Sequence, residues 1–242
     1  MSTTPLPEAN NHAAPSTLRH TLLTALLALV FGFIGAAGWS YSGLADNRTR
    51  AFMLGNPDML PQMVEAYEAQ EAEKRMADMG PELFTPFPGV VIGNPSGSKV
   101  LVEFTDYNCP YCEASLKDVN RLVAEDPDLM VVVREWPIFE GSELAARMAL
   151  AAGLQGKYRA FHDAMFSTGD VTAAAQAAGL DMARAEADAA SQAVSTEIAR
   201  NYNLAQSLGF TGTPAWIAGR KPISGAVGYD KLKAALAGDK AS

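Results

Sequence analysis

The chain has 242 residues, with 19 Lys plus Arg against 27 Asp plus Glu, and a formal net charge of −8. At 48% hydrophobic and 19% charged it has an ordinary globular composition, enough for one good core plus appendages. It lacks a basic stripe with interleaved aromatics, which argues against a nucleic-acid partner.

Residues 1–20 are polar, contain Pro and Asn, and are expected to form a disordered tail. From Thr21 to Ala45 there is no charged residue, and Leu22–Trp39 is nearly all apolar, a length that suits a bilayer span. Residues 21–45 are therefore read as a membrane anchor or a signal sequence, with a core helix as the plain alternative. Gly43-Leu44-Ala45 offers a small-x-small cleavage site before Asp46, whereas the length of the segment favours an uncleaved anchor. Either reading exports the remainder, to a periplasmic or other extracytoplasmic compartment where disulfides persist. Residues 46–87 are expected to form a helical extension. Asn56-Pro57-Asp58 is a helix start with a capping Asn and Pro in the first turn, and Gly80-Pro81 ends the helix. Met59, Leu60, Met63, Val64 and Tyr67 form an apolar face that packs on the main domain or joins copies of the chain through residues 56–79.

Residues 88–238 read as an α/β domain. A short strand is expected at Val90–Pro95 and a buried one at Val100–Thr105, rich in β-branched and aromatic residues. The segment after Cys112 has apolar residues at 116, 119, 122 and 123, which is helical spacing. Leu129–Glu135 reads as a parallel strand, completing a strand–helix–strand unit. Residues 141–209 are Ala-rich and helical, in segments near 142–153, 156–167, 170–178, 181–190 and 192–208. That run is too long for a simple crossover and is read as an inserted helical subdomain. Pro214–Ala218 and Pro222–Gly225 form a hairpin, and Tyr229–Ala237 a last helix.

Cys109 and Cys112 are the only cysteines, spaced Cys109-Pro110-Tyr111-Cys112 at the strand-to-helix turn. Unpaired N–H groups and the helix dipole stabilise a thiolate at a helix N-terminus. Cys109 is expected to face outward as nucleophile, with Cys112 one turn in as the resolving thiol. The pair then cycles between dithiol and disulfide. A metal site needs about four ligands, and the only histidines are His12, His20 and His162, so no metal or other cofactor is expected. A Cys–His hydrolase would rest on His162 alone.

A redox C-x-x-C on a strand–helix unit, followed after a helical insertion by Gly212-Thr213-Pro214 at a strand start, resembles the thioredoxin fold in its DsbA-like form. The resemblance covers about residues 88–238. It implies that the Thr213–Pro214 bond is cis and faces Cys109, with an exposed Thr213 backbone pairing with a substrate strand. Pro110 and Tyr111 are expected to border that substrate. Glu103, six residues before Cys109, matches the acid that shuttles a proton to or from the second cysteine in this family. The helix start after Ala51–Leu60 is similar to the suppressor-of-copper-sensitivity C group. The implied activity is exchange of disulfides with protein substrates, with a membrane partner recycling the dithiol. Oxidase, isomerase and reductase all remain open, because Pro110-Tyr111 is the glutaredoxin pair and reduction potentials across these proteins span roughly −270 to −120 mV. A chaperone in which the dithiol is incidental is the reading from another class.

Overall fold

A computed structural model of the chain describes residues 16–41, 44–219 and 221–237. Two compact units, Met1–Val64 and Glu65–Ser242, divide it. The first holds helices α1 (Ser16–Tyr41) and α2 (Leu44–Gly55) and the start of α3 (Met59–Met79). Within α1, His20–Trp39 has a mean hydropathy of 2.1 and is long and apolar enough to cross a membrane. The tail expected over residues 1–20 lies outside the described residues as far as residue 15, and Ser16–His20 is helical, not disordered. α3 begins at Met59, later than the expected cap: the Asn56 side-chain amide donates back to the Phe52 carbonyl at 2.7 Å, so it closes α2 and does not start α3.

In the second unit a 3-10 turn (Gly80–Phe84) leads into a five-stranded sheet. The strands are β1 (Val91–Gly93), β2 (Lys99–Thr105), β3 (Leu129–Glu135), β4 (Ala215–Ala218) and β5 (Lys221–Ser224), in the order β1-β3-β2-β4-β5. Only the β2–β3 pair is parallel, and α4 (Pro110–Glu125) is its crossover. Between β3 and β4 come α5 (Glu143–Leu154), α6 (Tyr158–Thr168), α7 (Val171–Ala177), α8 (Met182–Ala189) and α9 (Gln192–Ser207). Asp170, Asp181 and Ser191 cap α7, α8 and α9, each accepting a backbone N–H three residues on. The last helix among the described residues is α10 (Tyr229–Ala237).

Both sheet faces are covered, which is why β2 and β3 read as continuous apolar runs. Strand alternation places Leu101, Val131, Val133 and Trp216 in one core with Val119 and Leu122 of α4 and the first insertion helices. Val102, Phe104, Val132 and Ile217 enter a second core with Leu83, Leu204 and Phe210. Fully burying such side chains contributes about 1.5–3 kcal/mol each.

Two contacts tie the insertion and the entry segment to the sheet. Arg134 of β3 is fully buried; its Nη1 donates to Glu197 Oε1 of α9 at 2.8 Å. Its Nη2 donates to the carbonyls of Glu82, Leu83 and Thr85 at 2.6, 3.0 and 2.7 Å, gathering the end of the 3-10 turn. Elsewhere the chain crosses α5 at two glycines. A Cβ on Gly89 would lie 2.1 Å from the Gly153 carbonyl oxygen, and one on Gly153 would lie 2.6 Å from Val90 Cγ2.

Candidate active site

β2 delivers the chain to the site and α4 carries it away. Cys109 is the N-cap of α4, in extended conformation (φ −91°, ψ 113°), with Pro110 in the first turn where its missing N–H costs nothing. The N–H of Cys112 bonds back to the Cys109 carbonyl at 3.0 Å, so both sulfurs lie on the first turn. Both are free thiols here and both are buried, at 1% exposure each. The outward placement expected for Cys109 is therefore wrong, and the reason is its partner across the cleft. The Cys109 S–H donates to the Thr213 carbonyl at 3.2 Å, and the Thr213–Pro214 bond is cis.

That contact also corrects the reading of Thr213. Its residue is only 9% exposed, and its carbonyl is engaged by the thiol instead of being open. A thiolate or disulfide at Cys109 has no proton to donate, which would release the carbonyl for another donor. Pro110 and Tyr111 are exposed, Tyr111 at 66%, and flank the buried sulfur.

Glu103 lies in the middle of β2, paired with Val133 on one side and Trp216 on the other. It is 3% exposed, and burial pushes its carboxyl up to about 8. Burial also pushes the Cys112 thiol far above its ordinary value. The Asp106 backbone and the hydroxyls of Thr105 and Thr213 act the other way, favouring the Cys112 thiolate, while the Glu103 charge opposes it. Those two hydroxyl oxygens are buried without a hydrogen-bond partner, so they are free to donate to a thiolate when one forms. The site thus holds a covered thiol at a helix start, a second thiol whose ionisation is costly, and a buried acid whose charge acts on that second thiol.

Two features were not foreseen. Asp106 is buried and accepts from Asn108 N–H at 2.7 Å, Ile138 N–H at 2.7 Å, Phe139 N–H at 2.9 Å and Ser142 Oγ at 2.8 Å. It ties the loop before the cysteines to the loop after β3. The second is a buried set from β3, α6 and the turn after β2: the Tyr107 and Tyr158 hydroxyls donate to Glu135 Oε1 at 3.0 and 2.8 Å. His162, considered above as a catalytic base or ligand, packs against both tyrosines, its Nδ1 2.9 Å from the Tyr107 hydroxyl. Burial lowers its imidazole to about 3, so the ring is neutral. Among the described residues no group of three or more His, Cys, Asp or Glu is placed to hold a metal. A polar residue at a strand end, as Glu135 is, was the only available signal.

The family model of the DSBA-like thioredoxin domain matches residues 100–237, more than half of the chain. The chain belongs to the DsbA-like thioredoxin family. Among solved structures it is similar to a thioredoxin-like oxidoreductase from Silicibacter pomeroyi, at 42% identity over 65% of this chain and 95% of that one, with a TM-score of 0.61. It is also similar to a periplasmic thioredoxin-like protein from Salmonella enterica serovar Typhimurium, at 33% identity over 67% and 95%, TM-score 0.55. The catalytic domain of Proteus mirabilis ScsC matches at 25% identity over 68% and 96%, TM-score 0.58, so the suppressor-of-copper-sensitivity C group is compatible with this DsbA-like domain. The curated relatives it matches include a Na(+)/H(+) antiporter NhaA of Salinispora arenicola, 26% identical over 145 residues; the chain spans 22% of that protein's length.

Proposed function

We propose that the chain is an exported oxidoreductase that exchanges disulfides with protein substrates through Cys109 and Cys112, with α1 as its membrane tether. The observation that carries this is the seating of Cys109 Sγ at the start of α4, 3.2 Å from the carbonyl that precedes the cis Pro214. In the oxidising direction a substrate thiolate attacks Cys109 Sγ of the disulfide. A substrate–Cys109 bond forms, the Cys109–Cys112 bond breaks, and Cys112 leaves with its electron pair and takes a proton from Glu103. A second substrate thiolate then attacks the substrate sulfur, and Cys109 departs. The substrate has lost two electrons and the pair has gained them; a membrane redox partner removes them again. In this reading Pro110, Tyr111, Thr213 and Pro214 border the substrate, and the Thr213 carbonyl released by Cys109 accepts a backbone N–H from it.

The direction of electron flow is set by the potential, for which about 30 mV is a factor of ten in equilibrium constant. An isomerase role has a specific observation in its favour: Leu60, Met63, Val64 and Tyr67 along α3 are 45–64% exposed, an apolar face suited to joining copies and so bringing several dithiols to one substrate. The test is refolding of a scrambled-disulfide substrate by the full chain, beside oxidation of a reduced one. Oxidation of the reduced substrate without reshuffling of the scrambled one would sink the isomerase role. Retained substrate rescue in the chain carrying both Cys109→Ala and Cys112→Ala would replace the enzymatic reading with a chaperone.

A further inference from the structure

The register of β2 and β3 pairs Thr105 with Glu135 and Glu103 with Val133. Glu103 and Glu135 are thus on one sheet face and diagonal to each other, about 8 Å apart at Cα from ordinary strand spacings. Both are sealed from solvent, at 3% and 0% exposure. They differ in their partners. Glu135 Oε1 accepts two tyrosine hydroxyls, from Tyr107 at 3.0 Å and Tyr158 at 2.8 Å, while its Oε2 is buried with no partner. Hydrogen bonds of that kind favour the charged form of a carboxyl group. Behind the tyrosines the neutral His162 meets both hydroxyls, at 2.9 and 3.2 Å. Burial pushes both carboxyls up to about 8. The Glu103 and Asp106 charges raise Glu135 further, the tyrosine hydrogen bonds lower it, and the Glu103 charge raises Cys112. The titratable groups facing this pair are therefore Asp106 and Tyr107 beyond β2, Cys112 of α4, and Tyr158 and His162 of α6, with Arg159 acting on His162.

We propose that Glu135, held by Tyr107 and Tyr158, carries the first negative charge of the Glu103–Glu135 pair and so sets the pH at which Glu103 can take the Cys112 proton. Glu135 touches neither sulfur and is a positioning residue. The inference rests on the oxidoreductase reading above. When a mixed disulfide at Cys109 is resolved, the Cys112 thiol gives its proton to the Glu103 carboxylate. Its sulfur attacks Cys109 Sγ, the Cys109–Cys112 bond forms, and the other thiol leaves with the electron pair of the broken bond. The charge lost from Glu103 reappears on that leaving thiolate, which then takes a proton from water. With Glu135 already ionised, the second charge on Glu103 is resisted by the first, as in any pair of carboxylates that share a site.

The test is single-turnover oxidation of the reduced full chain by oxidised glutathione, acid-quenched and followed by mass, at concentrations where resolution of the mixed disulfide limits the rate. The wild-type rate should rise with pH through the Glu103 ionisation. Glu135→Gln keeps an acceptor for both tyrosines but removes the charge, and should move that midpoint down by about one pH unit, making resolution about fivefold faster near pH 7 with an unchanged plateau. Tyr158→Phe, which weakens the hold on the Glu135 anion, should move it the same way by less. Near-ultraviolet circular dichroism establishes that each variant is folded. A midpoint superimposable on wild type in both variants, or a lower plateau alone, would overturn the inference while leaving the oxidoreductase reading intact. A wild-type chain that forms no mixed disulfide and no Cys109–Cys112 bond would overturn both.

Discussion

Glu103 shows how a single buried carboxyl links stability to chemistry. Its ordinary value of 4.5 is pushed up to about 8 by burial. Between those values the folded chain retains a proton that the unfolded chain has released, so stability falls as pH rises through that window. Glu103→Gln, which cannot ionise, is expected to stabilise the reduced chain on the order of 3 kcal/mol at pH 8 and little at pH 4, measured by urea unfolding. The same substitution should slow resolution of a Cys109 mixed disulfide by about 10²-fold, the usual size of a lost proton-transfer group. Gains in stability with no loss of rate would separate Glu103 from the exchange chemistry. The acid was legible because an ionisable residue stood alone in an apolar strand, six positions before the first cysteine. Glu135 was not. Its meaning comes from Tyr107 and Tyr158, which stand 28 and 23 residues away in sequence and meet it only when β2, β3 and α6 are packed.

At the scale of elements, periodicity was a reliable guide wherever a segment had one face to bury. β3 and α10 fall at Leu129–Glu135 and Tyr229–Ala237 as the pattern predicts, and the five insertion helices lie within one or two residues of the expected bounds. The approach of α5 to the entry segment left no such trace, since two glycines 64 positions apart look like any other pair of glycines. Gly153→Ala is expected to cost about 1–3 kcal/mol, because the new methyl must push Val90 and the Pro88 carbonyl aside in a packed core. A thermal midpoint unchanged from wild type would contradict this. Arg134 is a sterner case. Removing it leaves Glu197 with Arg200 alone as ion-pair partner and three carbonyls without their donor, so Arg134→Ala should destabilise the domain by about 3–5 kcal/mol. The loss should be visible as earlier proteolysis near residues 80–85 than in the wild-type chain.

Taken whole, the molecule joins an apolar helix, an extension and a covered redox domain. Its family was readable from the C-x-x-C, the insertion and the Thr-Pro in combination. Whether copies associate was not, because an exposed helix face does not name its partner. A chain lacking residues 46–80 is expected to be monomeric in detergent by light scattering, with single-substrate oxidation retained and reshuffling of scrambled disulfides lost. An unaltered mass on deletion would remove α3 from any assembly. One property of the redox domain reaches further than exchange itself. Dissolved peroxide damages a cysteine only where it can meet an accessible thiolate. Here both cysteines are 1% exposed, one with its sulfur against a carbonyl and the other buried in the first turn of α4. The same cover that makes a substrate strand displace a backbone contact therefore shields the dithiol from sulfinic and sulfonic acid formation. For the exported enzyme proposed above, long service would depend on that shielding as much as on the potential.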